Sequence, residues 1–194
     1  MEHRARLRVL AALALLLAGA RGSHGATPFV TRAQALAEAF PGARTESKSF
    51  VLTDAQARAI QERARVKLAS KLVSAVTAWR GDTLAGTAFF DSRLVRTMTA
   101  VFMVTVAPDT TVGRVEVLAF HEPPEYKPSE RWLGQFQRHR LDDRLWPRAD
   151  IRNLSGATIS SRAVTETTRW ALACYQVLIA PDLSRTRAPR EGSR

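Results

Sequence analysis

A series of short strands between residues 71 and 120 constrains the fold of this chain more than any other feature of its sequence. In this stretch the spacing of apolar residues changes from the helical period to the alternation typical of strands. Turn signals at Gly81-Asp82 and Pro108-Asp109 interrupt it. The pattern predicts four strands, at residues 71–80, 83–90, 97–107 and 111–120. Because the connections are too short for parallel crossovers, we predict an antiparallel β-sheet.

Helical patterns flank the strands, which makes the predicted fold class α+β, an antiparallel β-sheet flanked by helices. Thr31 is the expected N-cap of a helix over residues 31–40, which Pro41-Gly42 would stop. Thr53 and Gln56 form a capping box that opens a second helix, ending near residue 66. Residues 45–52 between these helices are a candidate for a further strand.

The second half of the chain adds two predicted helices. One covers residues 129–140 with Ser129 as its cap, and the other covers residues 160–180 and ends at Pro181. The second has an apolar stripe at spacings of three and four residues, typical of a helix packed on a core. The proline-rich stretch 121–128 and the charged stretch 141–154 are expected to be irregular.

The composition excludes several classes of protein. Of the 194 residues, 45% are hydrophobic and 24% are charged, which rules out a mostly disordered chain, a collagen or a coiled coil. The single cysteine, Cys174, excludes an internal disulfide and a cysteine-rich metal site. The net charge is +11, but the arginines are dispersed, so we expect a solvated surface and no nucleic-acid partner.

The N-terminus has the pattern of a secretory signal peptide. A basic start is followed by an apolar run from Val9 to Ala20, and Ala18-Gly19-Ala20 is a small-x-small cleavage signal. We predict a signal peptide over residues 1–20, with Ala26 as a later cleavage site, and therefore an exported, periplasmic or otherwise extracytoplasmic protein. An uncleaved membrane anchor is the alternative, although the run is shorter than the ~20 residues of a spanning helix.

The same reasoning divides the rest of the chain. Residues 27–96 supply the N-terminal helices and the first strands of the domain, and residues 97–180 supply its remaining strands and its last helix. Residues 181–194 lack apolar periodicity and carry several arginines, so we predict a disordered basic tail.

Common catalytic and metal-binding motifs are missing from the sequence. It contains no GxGxxG, GxxxxGK[ST], HExxH or GxSxG motif. A metal site built from His121, Glu122 and Glu125 is conceivable, but the adjacent prolines do not aim three ligands inward. We therefore predict no catalytic side chain and no metal ligand.

One segment, from Asn153 to Ser161, places small hydroxylated residues and a glycine directly before a predicted helix. A helix N-terminus carries partial positive charge and unpaired N–H groups, which attract anions. Gly156 and Ala157 leave space for a phosphate to approach the backbone, and Thr158, Ser160 and Ser161 add hydroxyl donors. The same residues also suit a plain capped turn, because Ser and Thr are common caps. The residues alone leave both interpretations open.

The segment SGATISS, residues 155–161, resembles the S-G-A-T-x-[ST]-S signature of FMN-binding domains. This family includes the C subunit of the sodium-translocating NADH:quinone reductase and the G subunit of the Rnf complex. The surrounding sequence is similar too. Glu122-Pro123-Pro124 follows a strand, as the E-T-P-G-like loop of the family does, and Trp132, Leu133 and Phe136 match the spacing of its next helix. The resemblance covers residues 97–180, which identifies that stretch as the FMN-binding region.

The resemblance implies FMN as the cofactor, linked through its phosphate to Thr158 by a separate flavin transferase that uses FAD as donor. It implies six further cofactor-binding residues, namely Ser155, Gly156, Ala157, Ser160, Glu122 and Pro124. Tyr126, Trp132 and Phe136 are candidates to shield the flavin ring, with core packing as the alternative for the last two. The chain departs from the family at Arg152, where an Asp is usual, and at Glu125, where the loop has a glycine. These departures bear on covalent attachment more than on FMN binding.

The expected function is electron transfer by an exported flavoprotein in an extracytoplasmic redox chain, as a carrier rather than a stand-alone catalyst. Its partners would be the flavin transferase and unidentified electron donor and acceptor proteins, within a membrane redox complex or outside one. Two alternatives remain open. The protein could bind FMN without a covalent bond, or it could be a non-redox accessory or assembly module that keeps the fold.

Overall fold

The computed structural model describes residues 30–187, with side chains as far as residue 183. Five strands form one antiparallel sheet in the order β1-β2-β3-β4-β5, so each strand lies beside the one before it in the chain. They are β1 (Arg44–Val51), β2 (Leu72–Arg80), β3 (Thr83–Val95), β4 (Met98–Val106) and β5 (Val112–Phe120). The predicted antiparallel sheet is confirmed, and the candidate strand before the second helix forms its edge. The predicted signal peptide lies outside the described residues.

Helices pack on the sheet and follow its last strand. They are α1 (Arg32–Ala39), α2 (Asp54–Ala64), the single turn α3 (Glu130–Leu133), the long helix α4 (Thr158–Cys174) and α5 (Ala180–Arg187). The N-cap predicted at Thr31 and the capping box predicted for Thr53 with Gln56 are both formed, and Thr31 also forms a capping box with Gln34. No helix within residues 30–187 is long and apolar enough to cross a membrane.

The sheet has two apolar faces, and different helices cover them. On the first face α2 and α4 pack over the main core, where the rings of Phe89 and Trp170 meet edge to face with centroids 6.1 Å apart. On the second face α1 covers a smaller cluster that includes Phe40 and Met103. Because side chains alternate along a strand, Phe102 lies on the α4 face and its neighbour Met103 lies on the α1 face.

A buried arginine joins α4 to the segments beside it. Arg169 is 1% exposed, and its guanidinium donates to the carbonyl oxygens of Ala64 at 2.7 Å and Asp142 at 2.6 Å. It also lies over the Trp146 ring, 4.6 Å from the centroid. Burial lowers the pKa of this guanidinium from its usual value. The carbonyls at the end of α2 and in the irregular stretch before α4 thus find their partner in one side chain.

Strand β3 is five residues longer than the sequence predicted, because polar side chains beyond Phe90 find partners on α4. Asp91 accepts a hydrogen bond from Thr167 Oγ1 at 3.1 Å, and Arg93 lies 3.6 Å from Glu166. Arg93 also donates to Asp91 at 2.6 Å. These tertiary partners are invisible in the local sequence, where the polar residues read as the end of the strand.

The helix predicted over residues 129–140 is wrong beyond Leu133. A 3-10 turn, Gly134–Phe136, follows α3 directly, and the chain then joins the edge of β5. There Arg138 N–H donates to Val112 O at 2.8 Å, and Val112 N–H donates to His139 O at 2.9 Å. Bonding to the sheet edge therefore replaces the remaining helical hydrogen bonds.

The prediction that Pro181 ends the last helix is also wrong. Helix α4 begins at Thr158, a π-helical turn follows over Tyr175–Ile179, and α5 continues to Arg187. Pro181 is the second residue of α5 and directly follows the C-cap residue of the π-helical turn. Leu183 packs against the main core, and Lys48 lies 3.6 Å from Asp182. The predicted disordered tail is therefore wrong for residues 181–187, and residues 188–194 lie outside the described chain.

Candidate functional site

The start of α4 lies at the same end of the sheet as the β3–β4 hairpin. Tyr175, just after α4, lies near the opposite end of β4, with its hydroxyl 3.5 Å from Pro108 O. Thr167 lies in between, bonded to Asp91 of β3. From these contacts, α4 runs towards its N-terminus in the direction of the hairpin that joins Val95 to Met98. The predicted anion-binding segment is therefore at the hairpin end of the first sheet face.

A tight turn directly precedes α4. Ala157 N–H donates to Leu154 O at 3.0 Å, and Gly156 within this turn has a φ of +74°. A Cβ placed on Gly156 would meet no atom within 4 Å. Glycine is therefore needed here for its backbone conformation. The space beside it is open, as a phosphate close to the backbone requires.

Ser161 fastens the turn to the helix. Its hydroxyl accepts from Leu154 N–H at 2.9 Å and donates to Ala157 O at 3.1 Å. The side chain is fully buried. The sequence suggested only a further hydroxyl donor at this position. Ser161 follows Ala157, a small residue at the helix start, by four positions. This spacing allows a serine hydroxyl to bond to the carbonyl four residues earlier, and it is the signal that could have indicated the structural role of Ser161.

The hydroxyls of the segment differ in exposure. Ser155 and Thr158 are exposed, whereas Ser160 is 1% exposed. Ala157 is buried beneath the turn. The structure therefore brings Ser155, Gly156 and Thr158 together at an open surface and turns the side chains of Ser160 and Ser161 into the protein.

The first turn of α4 has no side-chain cap among the described residues, and its N-cap position is occupied by Ala157. The interpretation as a plain capped turn is therefore wrong. Unpaired N–H groups and a partial positive charge of about half an elementary unit remain at the helix start. These groups suit the oxygens of a phosphate.

A buried acceptor next to the turn also lacks a partner. Asn153 Oδ1 is shielded from solvent and has no hydrogen-bond partner among the described residues. Buried polar atoms are rarely left unsatisfied, and contact with a water or a ligand is a common reason. The free acceptor could receive a hydrogen bond from a hydroxyl or N–H group, but not from the oxygens of a phosphate.

Two side chains of the α3 region hold the strand-like segment that enters the turn. Trp132 Nε1 donates to Arg152 O at 2.8 Å, and Gln135 Oε1 accepts from Arg152 N–H at 2.8 Å. Trp132 also packs edge to face on Phe136, with centroids 5.4 Å apart, and Phe136 is fully buried. These contacts assign packing to Phe136 and a supporting role to Trp132. The side chain of Arg152 is exposed.

Glu122 is buried against the hairpin that borders the site. Its Oε1 accepts from the N–H groups of Thr97 at 2.6 Å and Met98 at 2.7 Å. These hydrogen bonds, that of Thr97 first, hold the pKa of the Glu122 carboxyl below its usual value. The carboxylate predicted to bind cofactor is thus engaged with the backbone of its own domain.

The rest of the Glu122 loop lies at the same end of the sheet. Pro124 is exposed and begins a 3-10 turn, Pro124–Tyr126. The Arg96 guanidinium lies over the Tyr126 ring, 4.4 Å from its centroid. Within residues 30–187 no group of three His, Cys, Asp or Glu side chains is placed to hold a metal ion.

Comparison with protein families identifies the cofactor of the domain. Residues 98–173 match the family model of the FMN-binding domain. The chain carries an FMN-binding domain. Its cofactor is FMN, and the matched stretch includes β4, β5, the Glu122 loop and the turn that precedes Thr158. A comparison with curated proteins found no match.

The hydrogen bonds of Glu122 predict a pH dependence of stability. A carboxyl whose folded pKa is lowered stabilises the fold above its unfolded pKa of about 4.3, and this contribution is lost as the pH falls towards the folded pKa. We expect Glu122→Gln to lower the free energy of unfolding at neutral pH. The difference from the wild-type protein should shrink in acid, as measured by urea unfolding over a pH series. An unchanged difference at all pH values would show that the charge of Glu122 does not matter.

Proposed function

We propose that Thr158 carries FMN through a phosphoester bond and that the protein passes electrons along an extracytoplasmic redox chain. The observation that carries this proposal is the exposure of Thr158 at the very start of the helix. Thr158 is the first residue of α4 and lies beside open space and uncapped backbone amides, within the stretch matched to the FMN-binding domain. Ser160 and Ser161, the other hydroxyls of the helix start, are buried. Burial thus disfavours Ser160 and Ser161 as the nucleophile, and the resemblance of the SGAT segment favours Thr158 over the exposed Ser155.

The attachment reaction is a phosphoryl-group transfer. Thr158 Oγ1 would attack the FMN-side phosphorus of FAD, forming a new P–O bond while the pyrophosphate P–O bond breaks and AMP leaves. The hydroxyl proton would pass to a base of the flavin transferase. The amides at the start of α4 stabilise negative charge on the phosphate oxygens. Once attached, FMN supplies the redox chemistry, and the protein supplies its position and surroundings.

A carrier role suits the side chains near Thr158. The nearby carboxylate of Glu122 is engaged with the hairpin, and Arg162, one helical turn after Thr158, is paired with Glu166 at 2.7 Å. Cys174 is buried, which raises the pKa of its thiol and suits a packing role. Among the described residues, Thr158 and Ser155 are the exposed hydroxyls of the turn, and no side chain hydrogen-bonded to them could act as a general base. Donor and acceptor proteins would then exchange electrons with the flavin directly.

Two other functions remain as alternatives, and each predicts a different experimental result. Arg152 stands where the related domains usually have Asp, which favours noncovalent FMN binding if the transferase requires that carboxylate. A non-redox accessory or assembly module would keep the fold and carry no flavin in the cell.

Export is the second part of the proposal. The basic start, the apolar run and the Ala18-Gly19-Ala20 signal at the N-terminus support it. A covalent bond has a physical rationale in an exported protein, because a flavin lost outside the cytoplasm is not readily replaced.

Thr158 variants test the attachment. After coexpression with a flavin transferase, wild-type protein should gain the mass of FMN minus water, and the label should survive denaturation. Thr158→Ala should abolish the label and change the free energy of unfolding by no more than ~0.5 kcal/mol, because the side chain is exposed and caps nothing. Thr158→Ser keeps a hydroxyl and should be labelled in part.

Thr53→Ala is the matched control for this experiment, since it removes another exposed hydroxyl at a helix start. It should lose about 1 kcal/mol of stability and keep the label. A label that persists in Thr158→Ala contradicts the assignment. Unlabelled wild-type protein that still binds free FMN would establish the noncovalent alternative.

Export predicts the N-terminus of the mature protein. Protein isolated from the native envelope fraction should begin at Arg21 or a few residues later, as read from its intact mass. A full-length cytoplasmic species that begins at Met1 would rule export out.

A further inference from the structure

Two exposed apolar side chains lie at the end of the sheet where α4 begins: Ile159, next to Thr158 in the chain, and Met98 of the β3–β4 hairpin. Among the described residues, the large apolar side chains with high exposure are Val51, Leu72, Leu94, Met98 and Ile159. Ile159 is 52% exposed and follows Thr158 directly, and Met98 is 46% exposed at the start of β4. Exposed apolar groups that adjoin an anion-binding helix start suit a ligand with one charged end and one apolar end.

Contacts along α4 and β3 place these two side chains at the same end of the same sheet face. Ile159 lies two helical turns before Glu166 and therefore on the same side of α4. Glu166 lies 3.6 Å from Arg93. Arg93 is two residues before Val95, and Val95 pairs with Met98 across the hairpin. The helix therefore carries Ile159 towards the hairpin that holds Met98.

Because side chains alternate along a strand, Met98 and Leu94, the other exposed apolar residue near the hairpin, lie on opposite faces of the sheet. Met98 shares its face with Ala100 and Phe102, which belong to the core under α4. Leu94 alternates with the buried Val95 and lies on the α1 face. Leu94 is 67% exposed, so it matches Met98 in character and lies on the opposite side of the same hairpin.

We propose that Ile159 and Met98 form the platform on which the isoalloxazine ring of the Thr158-linked FMN rests. This inference rests on the proposed function and adds the side chains that position the ring. The phosphate would lie at the start of α4, and the ribityl chain would extend towards the hairpin end of the sheet. Glu122 acts as a positioning residue for the platform, because its carboxylate fixes the backbone N–H of Met98 at 2.7 Å. Burial of the ring against two apolar side chains removes apolar surface from water on both sides.

Iodide quenching of flavin fluorescence in the labelled protein tests the platform. Iodide reaches a free ring more easily than a ring that rests on the protein. We expect Ile159→Ser and Met98→Ser each to lower the ratio of docked to free ring about fivefold. The quenching constant should rise and the fluorescence anisotropy should fall in both variants.

Leu94→Ser and Leu72→Ser are the matched controls. Each removes an exposed apolar side chain, one from the opposite face of the same hairpin and one from β2. Both should leave quenching and anisotropy at the wild-type values. All four positions are exposed, so thermal unfolding should confirm that each variant is folded.

Equal quenching in the wild-type protein, the platform variants and the controls would overturn the proposal and leave the two side chains as a surface for a protein partner. Attachment is read separately, from the intact mass. If no label forms, free FMN is titrated into the same variants. The proposal then requires weaker binding in Ile159→Ser and Met98→Ser than in Leu94→Ser, and equal binding in all three would overturn it.

Discussion

Burial of α4 along the sheet is the constraint on which the rest of this structure depends. Its 17 residues are buried on most sides, against Phe89 of β3 and, through Arg169, against the carbonyls at the end of α2. A helix held so completely has little freedom to shift along its axis. Its first residue is therefore fixed relative to the β3–β4 hairpin. The position of Thr158 follows from packing that begins more than two turns away from it.

The hydroxyl-bearing residues at the start of α4 have different structural roles. The Ser161 hydroxyl forms hydrogen bonds within the turn, whereas Thr158 is exposed. Ala157 at the N-cap position leaves the helix amides without a side-chain partner. An ordinary capping residue would compete with a phosphate for those amides. The absence of a side-chain cap within the described chain lowers the stability of the helix. It also leaves backbone N–H donors free at the place where FMN is expected.

Local signals explain which parts of this fold could be predicted from the sequence. The N-cap at Thr31, the capping box of Thr53 and the order of the strands depend on neighbouring residues, and those predictions are confirmed. The errors arise where distant groups decide the outcome. Polar residues extend β3 because α4 supplies their partners, and the helix after Ser129 stops because the chain bonds to β5. The small residues of the segment 153–161 indicate a turn or an anion site before a helix, and the resemblance adds FMN. The engagement of Glu122 with the hairpin is not predictable from the local sequence, since its partners lie 24 and 25 residues away in the chain. The family match begins at Met98, yet β3 completes the sheet beside β4, so the FMN-binding domain depends on strands that precede the matched stretch.

The central claim is that the uncapped start of α4 binds the phosphate of FMN. The most direct measurement compares the affinities of FMN and riboflavin for wild-type protein made without a flavin transferase. The two ligands share the flavin ring and the ribityl chain and differ by the phosphate. Charge-assisted hydrogen bonds from the helix amides predict that FMN binds about tenfold more tightly, with the advantage decreasing as salt is added. Equal affinity for the two ligands would contradict the account.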